Sequence, residues 1–293
     1  MANSVSCLGL SKNPQHKRAL APEERDSGDL PYLSVLYALK RRMEASFSRR
    51  LKFDSRTTIG QIIRLPFRLI PREAVVPVLT GPMAGLRWVV GSAPHGAWLG
   101  TLERSKLTHF VQSLEARSIV WDLGANVGLY AVASARAVGS EGHVYAFEPY
   151  ERNLGYLERH RDLNRIQNLT VVPRAVHDRV GTARMVCGES PSEFHMSSEG
   201  SIEVEAVTLD SWYERSGSRS PDVLKIDVEG AEDAVLRGGA NVLTRFRPVI
   251  YLSLHGERQR QECRALLSAW GYELTSLEKG VETERSSEWL ARP

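Results

Sequence analysis

The chain has 293 residues, 42% of them hydrophobic and 25% charged, with a formal net charge of +3 at pH 7. That length buries a full core and leaves room for one α/β domain plus an appendage. Cys7, Cys187 and Cys263 are odd in number and form no Cys-x-x-Cys pair, which argues against a disulfide framework or zinc cluster and for a reducing, cytoplasmic setting. No secretory pattern opens the sequence, and no apolar run of about eighteen residues suggests a membrane span.

The charge is unevenly spread. Residues 1–73 carry fourteen Lys or Arg against seven Asp or Glu, which leaves the remainder acidic by about four. Residues 1–28 are polar and read as a poorly ordered lead. From Pro31 to Arg50, Leu36, Leu39, Met43 and Phe47 recur at helical spacing with Lys40, Arg41, Arg42 and Arg49 on the other faces, which predicts a basic amphipathic helix. Residues 58–79 bring Ile59, Ile62, Ile63, Leu69 and Ile70, interrupted by Pro66 and Pro71, and predict short helical turns. Residues 1–77 therefore read as a basic helical extension. It is either a solvated arm, a cap over the site, or a weak docking surface for an anionic membrane or carrier protein.

Residues 78–115 read as a hairpin and helix ahead of the core: strand and turn over Gly81–Gly91, then Trp98–Glu103 leading into a helix through Phe110. The core, 116–293, alternates. Strands are expected at 119–123, 143–147, 169–173, 223–227, 248–254 and, last, 272–277, with helices at 128–138, 151–164, 231–244 and 257–270 and an antiparallel or edge region over 182–207. Strands separated by helices imply a mostly parallel sheet covered on both faces.

The most informative stretch is Val120-Trp-Asp-Leu-Gly-Ala-Asn-Val-Gly128, followed by His143-Val-Tyr-Ala-Phe-Glu-Pro149. A strand ends near Asp122, a turn from Gly124 to Gly128 opens a helix, and a second strand ends at Glu148, the plan of a nucleoside pocket. Glu148 is placed to take two ribose hydroxyls, while Asp122 and the turn face the other end of the ligand. A dinucleotide fingerprint would need glycine where Asn126 and Leu129 stand, and no phosphate-loop lysine follows. This weakens a dehydrogenase and favours an adenosine without phosphates, of which S-adenosylmethionine is the common case.

Further along come Val204-Glu-Ala-Val-Thr-Leu-Asp210 and Asp222-Val-Leu-Lys-Ile-Asp-Val-Glu-Gly-Ala-Glu232. With the two earlier motifs, they closely resemble the FkbM family of S-adenosylmethionine-dependent methyltransferases, over roughly residues 95–255. The resemblance implies a Rossmann-like class I methyltransferase with a mostly parallel seven-stranded sheet. It also implies O-methylation of a hydroxyl on a small molecule, sugar or glycolipid. Asp122, Gly124, Asn126, Gly128, Glu148 and Pro149 are the expected cofactor residues. Glu103 joins them if its segment folds over the cofactor, and otherwise is an exposed carboxylate of a first helical turn.

Asp227, Glu229 and His255 fall at strand ends where acceptor chemistry is expected. His255, neutral and basic near pH 7, suits the base that a hydroxyl acceptor needs, with Asp227 orienting the acceptor or supporting the base. Asp227 is equally a candidate helix cap, and Lys225 a neutraliser of nearby carboxylates. These groups are also magnesium ligands in kind, but their spacing specifies no metal and none is expected. Asp227-Val-Glu-Gly230 replaces the Asn/Asp-Pro-Pro-Tyr turn of amide-nitrogen and base methylation, and the acidic core disfavours nucleic acid. A non-catalytic cofactor-binding or scaffold protein of the same fold is the alternative.

Overall fold

The computed structural model describes residues 69–187, 194–196, 200 and 202–293. The basic helix expected over Pro31–Arg50 and the first half of the stretch 58–79 lie outside them. No helix among the described residues is long and apolar enough to cross a membrane.

Described structure begins with a hairpin of β1 (Val75–Pro77) and β2 (Arg87–Val89), followed by α1 (Gly96–Leu99) and α2 (Arg104–Ser113). The hairpin starts before the boundary expected at residue 78. Val76 and Trp88 are fully buried, so residues 75–77 belong with the body that follows. The core then runs β3 (Ile119–Leu123), α3 (Leu129–Val138), β4 (His143–Phe147), α4 (Glu151–Leu163) and β5 (Leu169–Val172). Next come four short strands, β6 (Ala175–Val176), β7 (Gly181–Cys187), β8 (Phe194–Met196) and β9 (Ile202–Val207). They form a separate sheet in the order β6-β9-β7-β8, which resolves the edge region expected over 182–207.

The chain continues with α5 (Leu209–Ser216), β10 (Val223–Ile226), α6 (Glu232–Gly238), α7 (Ala240–Phe246), β11 (Val249–Ser253), α8 (Glu257–Ala269), β12 (Glu273–Ser276) and β13 (Glu288–Arg292). Thr208 begins α5 with a reciprocal capping box to Ser211. One continuous helix was expected where α6 and α7 stand. The chain breaks at Gly238 and Gly239, which pass so close to His177 and Leu209 that side chains would not fit.

The main sheet has seven strands in the order β12-β13-β11-β10-β3-β4-β5. All pairings are parallel except those of β13, which runs antiparallel between β11 and β12. The last strand was expected at 272–277; β13 follows it and wedges inside it. β3 and β10 are buried along their whole length, as strands covered on both faces must be. From β3 the chain proceeds outward to β4 and β5, then returns to lay β10 on the other side of β3. That reversal opens a crevice at the carboxyl ends of β3 and β10.

Candidate active site

The crevice is shaped by the loop after β3. Gly124 and Ala125 donate their N–H groups to the Phe147 carbonyl at 3.0 and 2.9 Å. Gly124 has φ +76°, and a Cβ there would lie 1.9 Å from the Asp227 carbonyl oxygen, so the β10 loop itself demands glycine. Gly128, at φ +95°, is pressed against Leu157 of α4. Asn126 takes the left-handed conformation that its side chain tolerates, with Oδ1 accepting the Val127 N–H at 2.8 Å. The Asn that breaks the dinucleotide pattern is thus a working part of the turn.

Glu148, at the end of β4, is 5% exposed. One carboxylate oxygen accepts the Asn126 N–H at 2.8 Å and the other the Tyr150 N–H at 2.9 Å. Burial pushes its pKa up to about 7, against the pull of those N–H groups. Each oxygen keeps acceptor capacity, so the carboxylate is suited to a pair of donor hydroxyls.

Beside the loop stands a chain of charges. Parallel pairing sets Lys225 of β10 opposite Asp122 of β3. The Lys225 Nζ lies 3.3 Å from Asp122, 3.4 Å from Asp227 and 3.5 Å from the Gly124 carbonyl, and 4.8 Å from the Tyr130 ring centre. Burial opposes the ammonium charge, but Asp122, Asp227 and Glu103 outweigh it and raise the pKa. Asp122 is 1% exposed and sits beside Lys225, off the cavity wall.

At the end of β11, His255 donates through Nδ1 to the fully buried Glu232 at 2.8 Å, while Nε2 faces Glu229 at 3.3 Å and Asp227 at 3.7 Å. The Glu232 hydrogen bond, with the Glu229 and Asp227 charges, raises the His255 pKa to about 9 despite partial burial. Neutrality at pH 7 was expected from the sequence; three carboxylates keep the free imidazole protonated there. The ligand atoms of Asp227, Glu229 and His255 lie within 4.8 Å of one another. Asp227 does not cap α6, whose preceding residue is Ala231.

A cavity of about 350 Å³ joins these parts, within the range of small-molecule sites. Its walls include Gly124, Asn126, Glu148, Pro149, Asp227 and Glu103. Gly128 and His255 stand outside the lining, the first against Leu157 and the second against Asp227 and Glu229. Glu103 accepts the Tyr130 hydroxyl at 2.7 Å.

Several contributors had no role in the sequence reading. Trp88 of β2 lines the cavity and stacks on His160 of α4 at 3.7 Å. His160 donates through Nδ1 to the Val127 carbonyl at 2.8 Å and accepts the Val89 N–H through Nε2 at 3.1 Å, tying hairpin, loop and α4 together. Glu232 lay inside a recognised motif, and its i, i+3 spacing from Glu229 was a usable signal; Trp88 and His160 carried none.

The methyltransferase FkbM domain is matched over residues 122–274, more than half of the chain. The chain belongs to the FkbM methyltransferase family. Its donor is S-adenosylmethionine, and the buried acceptor carboxylate Glu148 beside a phosphate-free loop suits the nucleoside of that donor. The chain is 28% identical over 171 residues to the hexuronic acid methyltransferase AglP of Haloferax volcanii, covering 57% of this chain and 68% of that protein. It is 43% identical over 49 residues to the 2-O-methyltransferase NoeI of Sinorhizobium fredii, covering 17% of this chain and 20% of that one. Among solved structures, the methyltransferase FkbM from Methylobacillus flagellatus KT aligns with a TM-score of 0.45 at 18% identity, over 68% of this chain and 53% of that chain. The FkbM chain thus spans about half the length of that solved protein and a fifth of NoeI.

Proposed function

We propose that this FkbM methyltransferase methylates a hydroxyl of a sugar or sugar-bearing small molecule, with Asp227 meeting the acceptor and His255 taking its proton. The observation that carries the reading is the line of Asp227 and His255, just past the ends of β10 and β11, and Glu232, at the start of α6, beside the cavity that contains Glu148. S-adenosylmethionine supplies an electrophilic methyl carbon, so the protein's task is to orient a nucleophile and dispose of its proton. Glu232 holds Nδ1 as a donor, which leaves Nε2 to receive that proton across from Asp227. The base form fills as pH rises toward about 9.

On the cofactor side, Glu148 takes the ribose hydroxyls, the backbone from Gly124 to Gly128 and Asn126 passes beneath the nucleoside, and Pro149 and Glu103 complete the wall. Asp122 acts indirectly, by holding Lys225 in place. The name of AglP favours a sugar acid as acceptor and that of NoeI an oxygen as the methylated atom, and the acidic crevice argues against nucleic acid.

Incubation with S-adenosylmethionine and a panel of hexuronic acids and neutral glycosides, read by mass spectrometry and NMR, tests the proposal. An O-methyl ether is the expected product. Methyl on nitrogen or carboxylate would refute the hydroxyl assignment, and cofactor binding without transfer across the panel would favour the non-catalytic alternative.

A further inference from the structure

The geometry points to a subsite that reads the amino-acid end of S-adenosylmethionine through two opposite charges: Lys225 for its α-carboxylate and Glu103 for its α-ammonium, with Tyr130 between them. The inference takes the donor from family membership and is independent of which acceptor is methylated.

Three observations carry it. First, Lys225 and Glu103 both line the cavity and share Tyr130: its hydroxyl donates to Glu103 at 2.7 Å and its ring lies 4.8 Å from the Lys225 Nζ. Second, Lys225 is 6% exposed, yet its acceptors stand at 3.3, 3.4 and 3.5 Å. Charge-assisted N–H···O bonds normally close to about 2.7–2.9 Å, so each of these three contacts is longer than a closed charge-assisted bond. The other cation lining the cavity among the described residues, Arg174, already closes on Glu205 at 2.9 and 3.0 Å. Third, Glu103 precedes α2 in a left-handed conformation, φ 45°, and its side chain makes no capping bond to that helix. Its carboxylate is exposed at the start of α2 and turned to Tyr130 and the cavity.

The amino-acid end of the donor is a zwitterion, and a lysine and a glutamate on one wall complement it group for group. Asp122, opposite Lys225 in the strand register, keeps that lysine charged without lining the cavity. The nucleoside half makes no demand on either residue, which gives the inference a readout separate from activity.

Calorimetry on the full chain with S-adenosylmethionine, its decarboxylated form and 5′-methylthioadenosine tests it. Wild-type protein is expected to bind the decarboxylated form about tenfold more weakly than the complete donor, the scale of one hydrogen bond to a charged group. Lys225→Met is expected to weaken the complete donor about tenfold while leaving the other two ligands within about twofold. Glu103→Gln is expected to weaken both amine-bearing ligands about tenfold and to spare 5′-methylthioadenosine. Lys225→Met leaves Asp122 buried without its cation; if that variant does not fold, the wild-type series and Glu103→Gln decide. Equal wild-type affinity for the complete and decarboxylated donors would overturn the inference, as would uniform losses across all three ligands in the variants.

Discussion

Cofactor binding at Glu148 is expected to be linked to a proton. Ribose hydroxyls donate more strongly to the ionised carboxylate than to its protonated form, so binding pulls the Glu148 pKa down from its free-site value of about 7. The affinity for S-adenosylhomocysteine should therefore be nearly flat above pH 8 and weaken below pH 7, by at most about tenfold per unit. Glu148→Gln removes the charge but keeps one carbonyl oxygen for the Asn126 or Tyr150 N–H, which limits damage to the loop. Two hydroxyl bonds reduced from charged to neutral cost about 1.5–3 kcal/mol, a roughly ten- to hundredfold loss at pH 8, and the pH dependence should disappear with them. Calorimetry across about pH 6 to 8.5, in two buffers of different ionisation heat, counts the proton directly. A wild-type affinity that does not change with pH, or a Glu148→Gln protein that binds within twofold of wild type, would refute the reasoning.

Methyl transfer is expected to rise with pH toward about 9, where His255 loses its proton, and Glu232→Gln should move that limb to lower pH by removing the main cause of the shift. His255→Ala should lower turnover by about 10² to 10⁴ with cofactor affinity nearly unchanged; a pH-independent rate in wild type would remove His255 from the base role. Glu148 and His160 should tilt stability in opposite directions, as read from urea midpoints of the ligand-free protein. A buried acid raised from 4.5 to about 7 contributes fully below pH 4.5 and loses about 3 kcal/mol as pH rises through 7. A buried histidine lowered from 6.5 to about 4 contributes fully above pH 6.5 and loses about 3 kcal/mol as pH falls through 4. Glu148→Gln and His160→Gln should each remove one slope and leave the other. Gly124→Ala should cost about 3 kcal/mol or more because a backbone carbonyl blocks its Cβ, whereas Gly128→Ala, facing the movable Leu157 side chain, should cost about 1–2 kcal/mol at the urea midpoint.

Local sequence determined much of the core. Apolar runs such as Val249–Leu252 have one solution inside a layered α/β protein, a strand covered on both faces, and Gly124, Asn126 and Gly128 are residue types that admit the positive φ angles their turn requires. The place of Glu148, at the end of a buried strand about twenty residues after a glycine turn and on the cavity wall, was legible in the same pattern. The hairpin boundary, the inserted strand β13 and the strand order of the second sheet were not legible, because Glu288–Arg292 and the strands over 181–207 carry mixed patterns that acquire meaning only once their pairing partners are in place. Partnership across the sheet decided the charges as well. Lys225 meets Asp122 because parallel register aligns residues about a hundred positions apart, and the proton on His255 is held by carboxylates of a different loop and helix. A side chain's type can be read from one position; its pKa depends on the charges and burial that only the folded chain assembles around it.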